Sequence, residues 1–238
     1  MKTTGIEKLD NIITLDTGKV MFFGVGQGKA GRQVLPMQIL YNNIDTKTLL
    51  MSKRVSVVDS MLAYESKLSF EKKVHNLKYD FTEEERVVYG QAMDRLTREG
   101  QFEQVIRYNA SILGLVDFIT MYAKAGVKNI IIDNYRYLDN FADSKEVFDA
   151  WDDIVKVVKE HGINLYMFYN LYNECRENNI NKKSMYKFTK KFVDSSDYVF
   201  MIPAYDDSAT SIKVLCYGKE NIEGIVELDF DKEARLLS

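Results

Sequence analysis

The chain has 238 residues, 46% of them hydrophobic and 28% charged, enough apolar material for one large core or two small ones. Its 32 lysines and arginines against 35 acids give a formal net charge of −3, which excludes the basic excess of an evident nucleic-acid binder and leaves room only for a local DNA-contacting stripe. The only cysteines, Cys175 and Cys216, and the only histidines, His75 and His161, exclude a disulfide framework, lack zinc-ligand spacing and leave serine- and cysteine-type triads short of bases.

No run reaches the ~20 apolar residues of a membrane helix, and the polar opening MKTTGIEKLD lacks the apolar core of a signal peptide. A soluble, cytoplasmic protein with no membrane partner is expected. Pro36 and Pro203 are the only prolines, and neither a Gly/Ser-rich linker nor a long internal period interrupts the chain, so residues 1–238 read as one domain.

The first strong signal is KVMFFGV, residues 19 to 25, an apolar run entering a glycine cluster, followed by GRQVLPMQILYNNI with helical apolar spacing. Residues 47 to 52, KTLLMS, predict a second short strand. The stretch from Val55 to about Arg107 is rich in charge, with apolar residues three and four apart, and predicts several helices. An amphipathic helix from Ala110 to Gly126 is stopped by glycine, and VKNIIIDNY is the most strongly apolar strand. Residues 144 to 161 open with Ser and acids and end in Lys and His before Gly162, meeting both helix-end rules, and INLYMFYNL is another buried strand. The runs DYVFMIPAY, TSIKVLCYGK and IEGIVELDFD predict an antiparallel edge added to a parallel sheet. Strands alternating with helices give an α/β fold, three-layered, with a mainly parallel central sheet.

Ligands of open α/β sheets sit beyond the carboxyl ends of the strands, which directs attention to Gly24–Gly31, Asp133–Tyr137 and Tyr169–Asn173. The segment FGVGQGKAG compares with G-x-x-x-x-G-K-[ST], in which backbone amides and a lysine cradle phosphates and the hydroxyl holds magnesium. Gly28 and Lys29 fit. The first glycine of the pattern falls on Phe23, with Gly24 one place late, and Ala30 occupies the hydroxyl position and cannot bind a metal. The same letters place Gly26, Gly28 and Gly31 in the dinucleotide order G-x-G-x-x-G, but Asp45 comes only 14 residues after Gly31 where about 20 are wanted. A glycine-rich strand-to-helix turn without a ligand is the plain alternative.

Asp133 ends the strand NIIID, the placement of a magnesium-directing acid beside a phosphate loop, though aspartate is also common in turns. Asn170 sits where a polar sensor would face a terminal phosphate, or it is a turn amide. Trp151 and YMFYNLY offer base-stacking surfaces but read better as core. The pairs Asp152–Asp153 and Asp206–Asp207 read as solvated surface.

Taken in order, these segments resemble a known family. TTGIEKLDNIITLDTGKVMFFGVGQGKAG resembles the entrance to RecA-like ATPase cores, where T-G-[IV]-x-x-L-D precedes a strand and the phosphate loop. NIIIDNYRYL resembles the I-V-I-D-Y-L-Q-L strand end of DnaB-type replicative helicases. SKEVFDAWDDIVKVVKEHGINLYMFYNLYNECREN is similar to their next helix, strand and S-Q-L-x-R loop. DSSDYVFMI resembles their Q-D-A-D-[VI]-V strand, and SIKVLCYGKENIEGIVELDFDKEARLL their closing K-x-R-N-G-x-x-G-x-x-x-L-x-F segment. The resemblance covers nearly the whole chain, as a helicase carboxy-terminal domain without the family's amino-terminal one.

The resemblance implies a nucleotide, ATP or another, with magnesium, held by Gly24, Gly26, Gly28, Lys29, Ala30 and Gly31, with Asp133 toward the metal and Asn170 as sensor. It also locates the departures. The family's water-activating glutamate aligns with Met51, and its lysine and arginine that enter a neighbouring subunit's site align with Tyr217 and Lys219. The family's Ser-Gln pair becomes Tyr169-Asn170, and the Gln after the strand-end acid becomes Arg136. Nucleotide positioning is kept and hydrolysis is weak or lost. The expected role is that of a DNA-replication or mobile-element protein acting by assembly with itself or with a helicase partner. The alternatives are an active helicase with relocated groups (Glu65 or Asp59 as base, Arg54 or Lys219 as charge partner) and an interaction module without nucleotide. Single-stranded DNA is a further expected partner, with Arg176, Lys182 and Lys183 as loop candidates.

Overall fold

A computed structural model of the chain describes residues 4–13, 17–26, 30–52, 57–67, 81–105, 112–134, 144–171, 190–203, 209–218, 223–231 and 236–238. The helices are α1 (Glu7–Asp10), α2 (Leu35–Asn42), α3 (Val57–Ser66), α4 (Glu83–Glu99), α5 (Ile112–Lys124) and α6 (Ser144–Glu160). The strands are β1 (Val20–Val25), β2 (Thr48–Met51), β3 (Phe102–Val105), β4 (Asn129–Ile132), β5 (Asn164–Asn170), β6 (Tyr198–Ile202), β7 (Ser211–Gly218), β8 (Glu223–Asp231) and β9 (Leu236–Leu237). They form one sheet in the order β3-β2-β4-β5-β1-β6-β7-β8-β9. From β3 to β6 the pairing is parallel, and from β6 to β9 antiparallel.

β1 is the interior strand, with all six residues buried. Its alternation feeds two cores. Met21, Phe23 and Val25 pack with α2 and α3, whereas Val20 and Phe22 pack with α5, α6 and Phe192 of the helical residues 190–195. Phe23 is in register with Phe168 of β5 and Phe200 of β6 and stacks on both, at ring-centroid distances of 4.6 and 4.7 Å. On the other face Trp151, Ile154 and Val158 of α6 follow helical spacing into the sheet, and the Trp151 indole donates to Ser195 Oγ at 2.5 Å. Trp151 is thus core, as are Leu165–Phe168, while Asp152 and Asp153 are exposed. Asp206 and Asp207 lie outside the described residues.

Local chemistry sets the helix ends. Thr82 Oγ1 accepts from the Glu85 amide at 3.2 Å while the Thr82 amide donates to Glu85 Oε2 at 2.9 Å, a capping box that starts α4. α2 has Pro36 in its first turn, and a proline has no amide to donate back into the π-helical residues Ala30–Val34 that run into it. Its buried Gln38 exchanges two hydrogen bonds with the backbone of Leu237, at 2.7 and 2.8 Å, tying α2 to β9.

The opening segment is a clasp. Asp10 Oδ1 accepts from the Thr4 amide at 2.7 Å and the Thr4 hydroxyl at 2.6 Å, and Oδ2 accepts from the Gly5 amide at 2.8 Å. Gly5 takes φ +70°, and a Cβ there would overlap the Asn42 side chain. The T-G-I-E-K-L-D pattern therefore has a physical cause: the aspartate caps its own turn and the glycine lets that turn lie against the end of α2.

One expectation is corrected. The charged stretch Val55–Arg107 contains not only helices but β3, a four-residue edge strand paired with β2, with Phe102 and Gln104 partly buried and Glu103 exposed; its sequence FEQV lacks the apolar alternation that announces a strand. The run DYVFMI opens the antiparallel edge as expected, pairing with β7, and because it also pairs in parallel with β1 it is the buried strand that joins the two parts of the sheet. A continuous apolar run is the mark of a strand covered on both faces.

Gly5→Ala is expected to cost about 2 kcal/mol through the left-handed backbone and the Asn42 overlap, read as a lowered urea midpoint at unchanged slope. Cys216 is 1% exposed, and burial pushes its thiol up to about 12. Peptide mapping after iodoacetamide at pH 8 should find Cys216 unmodified in native protein and modified in urea.

Candidate functional site at the carboxyl edge of the sheet

Because β1, β2, β4, β5 and β6 are parallel, their carboxyl ends line one edge. The ladder continues one bond past several of them. The Gly26 amide donates to Ile202 O at 2.8 Å, the Leu171 amide to Val25 O at 2.8 Å and the Asp133 amide to Met51 O at 3.1 Å. The edge is stepped. Ile132 is level with Met167, so Asp133 lies beside Phe168 and hence Phe23, three residues short of Gly26. At ~3.3 Å per residue the ends of β2 and β4 are recessed by about 10 Å relative to β1 and β5. Asn170, level with Val25, forms the flank of that recess.

Side-chain alternation decides what faces it. Leu50 and Ile131 belong to the core under α2, and Met51 and Ile132 to the core under α5 and α6. The next residues, Ser52 and Asp133, therefore return to the α2 face. They meet there, the Ser52 hydroxyl donating to Asp133 Oδ2 at 2.7 Å. The Gln104 side-chain Nε2 of β3 donates to Ser52 O at 3.3 Å and steadies this turn. Asp133 is 2% exposed and Asn170 6%.

The glycines divide. Gly24 lies inside β1, and a Cβ on it would meet Met201 Sδ at 2.6 Å and Leu171 Cδ1 at 3.2 Å on the face away from α2. Gly26 is buried, with its amide given to the sheet. Gly28 and Lys29 lie outside the described residues. Ala30 and Gly31 open a π-helical turn, Ala30–Val34, that leads into α2. Such turns recur at functional sites.

Met51 is 5% exposed and packed in the α5/α6 core, so that strand end presents Ser52, not Met51, on the α2 face. Motif comparison passes over Ser52. The signal available is the two-residue period of a strand, which puts Ser52 and Asp133 on one face once β2 and β4 are neighbours. Glu65 is engaged elsewhere: Oε1 accepts from Arg95 at 2.6 Å and Oε2 from the Tyr41 hydroxyl at 2.6 Å, linking α2, α3 and α4. Burial and this carboxylate push Tyr41 up to about 12. Asp59 lies in the first turn of α3. Tyr217 pairs with Val199 and packs on the α5/α6 face of the sheet, on β7, four strands across from β4. Lys219, Arg54, Arg136, Arg176, Lys182 and Lys183 lie outside the described residues. Among the described residues no group of three or more His, Cys, Asp or Glu forms a metal-holding cluster, and no helix is long and apolar enough to cross a membrane.

Met51→Ala is expected to behave as a core truncation, losing about 2–3 kcal/mol in denaturant unfolding while leaving any nucleotide-induced thermal shift intact. Loss of that shift at full stability would contradict the placement of Met51.

Neither a protein-family model nor a curated protein matches this chain. Solved structures do. One ATPase domain superposes with a TM-score of 0.82 at 13% identity, covering 98% of this chain and 89% of that one. A DnaB-like replicative helicase, studied for its interactions with primase, gives 0.81 at 12% identity, covering 98% of this chain but 60% of its own length. A KaiC-like protein from the hyperthermophilic archaeon Pyrococcus horikoshii OT3 gives 0.63 at 12% identity, covering 99% and 96% of the two chains. The chain has the RecA-like fold, in the form taken by the ATPase domains of DnaB-type helicases.

Proposed function

We propose that this chain binds a nucleotide, ATP by preference, in the recess at the carboxyl edge, hydrolyses it weakly or not at all, and acts by assembling with copies of itself or with a helicase partner in DNA replication or in a mobile element. The observation that carries the reading is a coincidence at one edge. The β1-to-α2 junction, with its Gly-Lys sequence, and the buried Asp133 both end there, in a fold shared with helicase ATPase domains.

The donor set fits magnesium. A buried carboxylate beside a hydroxyl offers hard oxygen ligands, and magnesium needs only one or two of these when phosphates and waters complete its shell. Asp133 would hold it, directly or through water. Bound there, the metal would neutralise phosphate charge. Lys29 would meet the phosphates, the amides of residues 27–31 and the start of the π-turn would receive their oxygens, and Asn170 would read the terminal group from the flank.

Weak hydrolysis is supported by what the edge withholds. Ala30 has no side-chain oxygen, Met51 is core, and both oxygens of Glu65 are committed. Each missing charge-stabilising or base group lowers turnover by about 10²–10³. Tyr217, on the sheet face away from α2 and four strands from β4, would meet a recess only in another copy, which favours self-assembly. Residues 1–238 acting as one cytoplasmic domain, with single-stranded DNA as a ligand of the assembly, complete the proposal.

Thermal unfolding with magnesium and a slowly hydrolysed ATP analogue tests it. At about 100 Kd of ligand the folded state gains ~2.7 kcal/mol, which in a chain of this size raises Tm by roughly 5–10 °C; Lys29→Ala should abolish the rise. ATP turnover by the assembled protein is expected at or below about 0.1 s⁻¹, two orders under a typical enzyme. No shift at any concentration would favour an interaction module, and robust Mg-dependent turnover with strand separation an active helicase.

A further inference from the structure

The hydroxyl that the phosphate loop lacks is present elsewhere at this edge. Met51 and Ile132 are in register in the parallel β2–β4 ladder, and the Asp133 amide extends that ladder by one bond to Met51 O. Ser52 and Asp133 are thereby fixed side by side on the α2 face, 3% and 2% exposed, with the Ser52 hydroxyl donating to Oδ2 at 2.7 Å. A surface serine would exchange such a bond with water; here both groups are taken from solvent, so the bond holds the carboxylate in one orientation. Gln104, from the next strand, holds the Ser52 carbonyl and keeps the hydroxyl on station.

We infer that Ser52 is a positioning residue for metal-nucleotide binding, holding the Asp133 carboxylate in the orientation from which it meets magnesium, with Ala30 unable to contribute a hydroxyl from the loop. The inference rests on the nucleotide reading above and adds a residue from the end of β2 to it. Partners that orient a metal-binding group typically contribute 10–100-fold to metal affinity. The effect should therefore appear in the magnesium requirement rather than in the nucleotide affinity measured without metal.

The experiment is a magnesium titration at fixed, slowly hydrolysed ATP analogue, followed by thermal unfolding, for wild type, Ser52→Ala and Ser52→Thr, with an EDTA arm for metal-free binding. Expected is a magnesium midpoint raised about 10–100-fold in Ser52→Ala, restored to near the wild-type value in Ser52→Thr, with the EDTA arm unchanged. Should Ser52→Ala melt too low to assay, Ser52→Cys, of similar shape but a weak donor, replaces it with the same expected shift. A Ser52→Ala midpoint equal to wild type, or equal shifts for Ala and Thr, overturns the inference. Wild-type protein with no magnesium-nucleotide effect removes the nucleotide reading itself, an outcome distinct from either.

Discussion

The pairing of β1 on both sides is the constraint from which the rest of the molecule follows. A strand buried on both faces and bonded in parallel to β5 and β6 has no freedom of register, because a slip by one residue would exchange the residues facing α2 with those facing α6. The Phe168–Phe23–Phe200 stack fixes that register from within, each aromatic contact adding about 0.5–1.5 kcal/mol beyond its buried area. Gly24 belongs to the same arrangement, since the space left by its missing side chain is taken by Met201. Where β1 ends, the position of the following turn and of α2 is already decided.

A second constraint acts through β2 and β4, which stop earlier than β1 and β5. Their shortness makes the recess, and strand alternation decides that its floor is polar: Leu50 and Ile131 close the core, then Ser52 and Asp133 face the same side beyond it. A buried carboxylate is tolerated because it accepts a hydrogen bond in place of lost water. The same alternation turns Met51 inward, so this strand end offers an oxygen from its final turn and a thioether only to the core.

Much of the fold was legible in the sequence because buried parallel strands announce themselves. KVMFFGV, NIIID and INLYMFY are near-continuous apolar runs, and the alternation of strands with helices fixed the class. β3 was hidden because a four-residue edge strand without apolar alternation carries little signal, and the runs of β6, β7 and β8 announced an antiparallel edge without showing that β6 also pairs in parallel with β1. The site was half legible. Asp133 is visible as an acid ending an apolar strand. Ser52 is not, since its significance depends on β2 and β4 being neighbours, a fact of topology that no local pattern contains. Gly24 and Gly26 also carry roles that no motif comparison contains: the first is demanded by packing and the second gives its amide to a neighbouring strand.

The central strand also sets an order of events in synthesis. β1 precedes both of its partners, residues 164–170 and 198–202, so the strand that carries the loop stays unpaired until those residues have left the ribosome. Contacts this remote in sequence make for slow folding and a long-lived apolar segment. VMFFGV is the piece of this protein most in need of a chaperone, and a stalled or truncated chain ending before β6 would expose it as a site of aggregation.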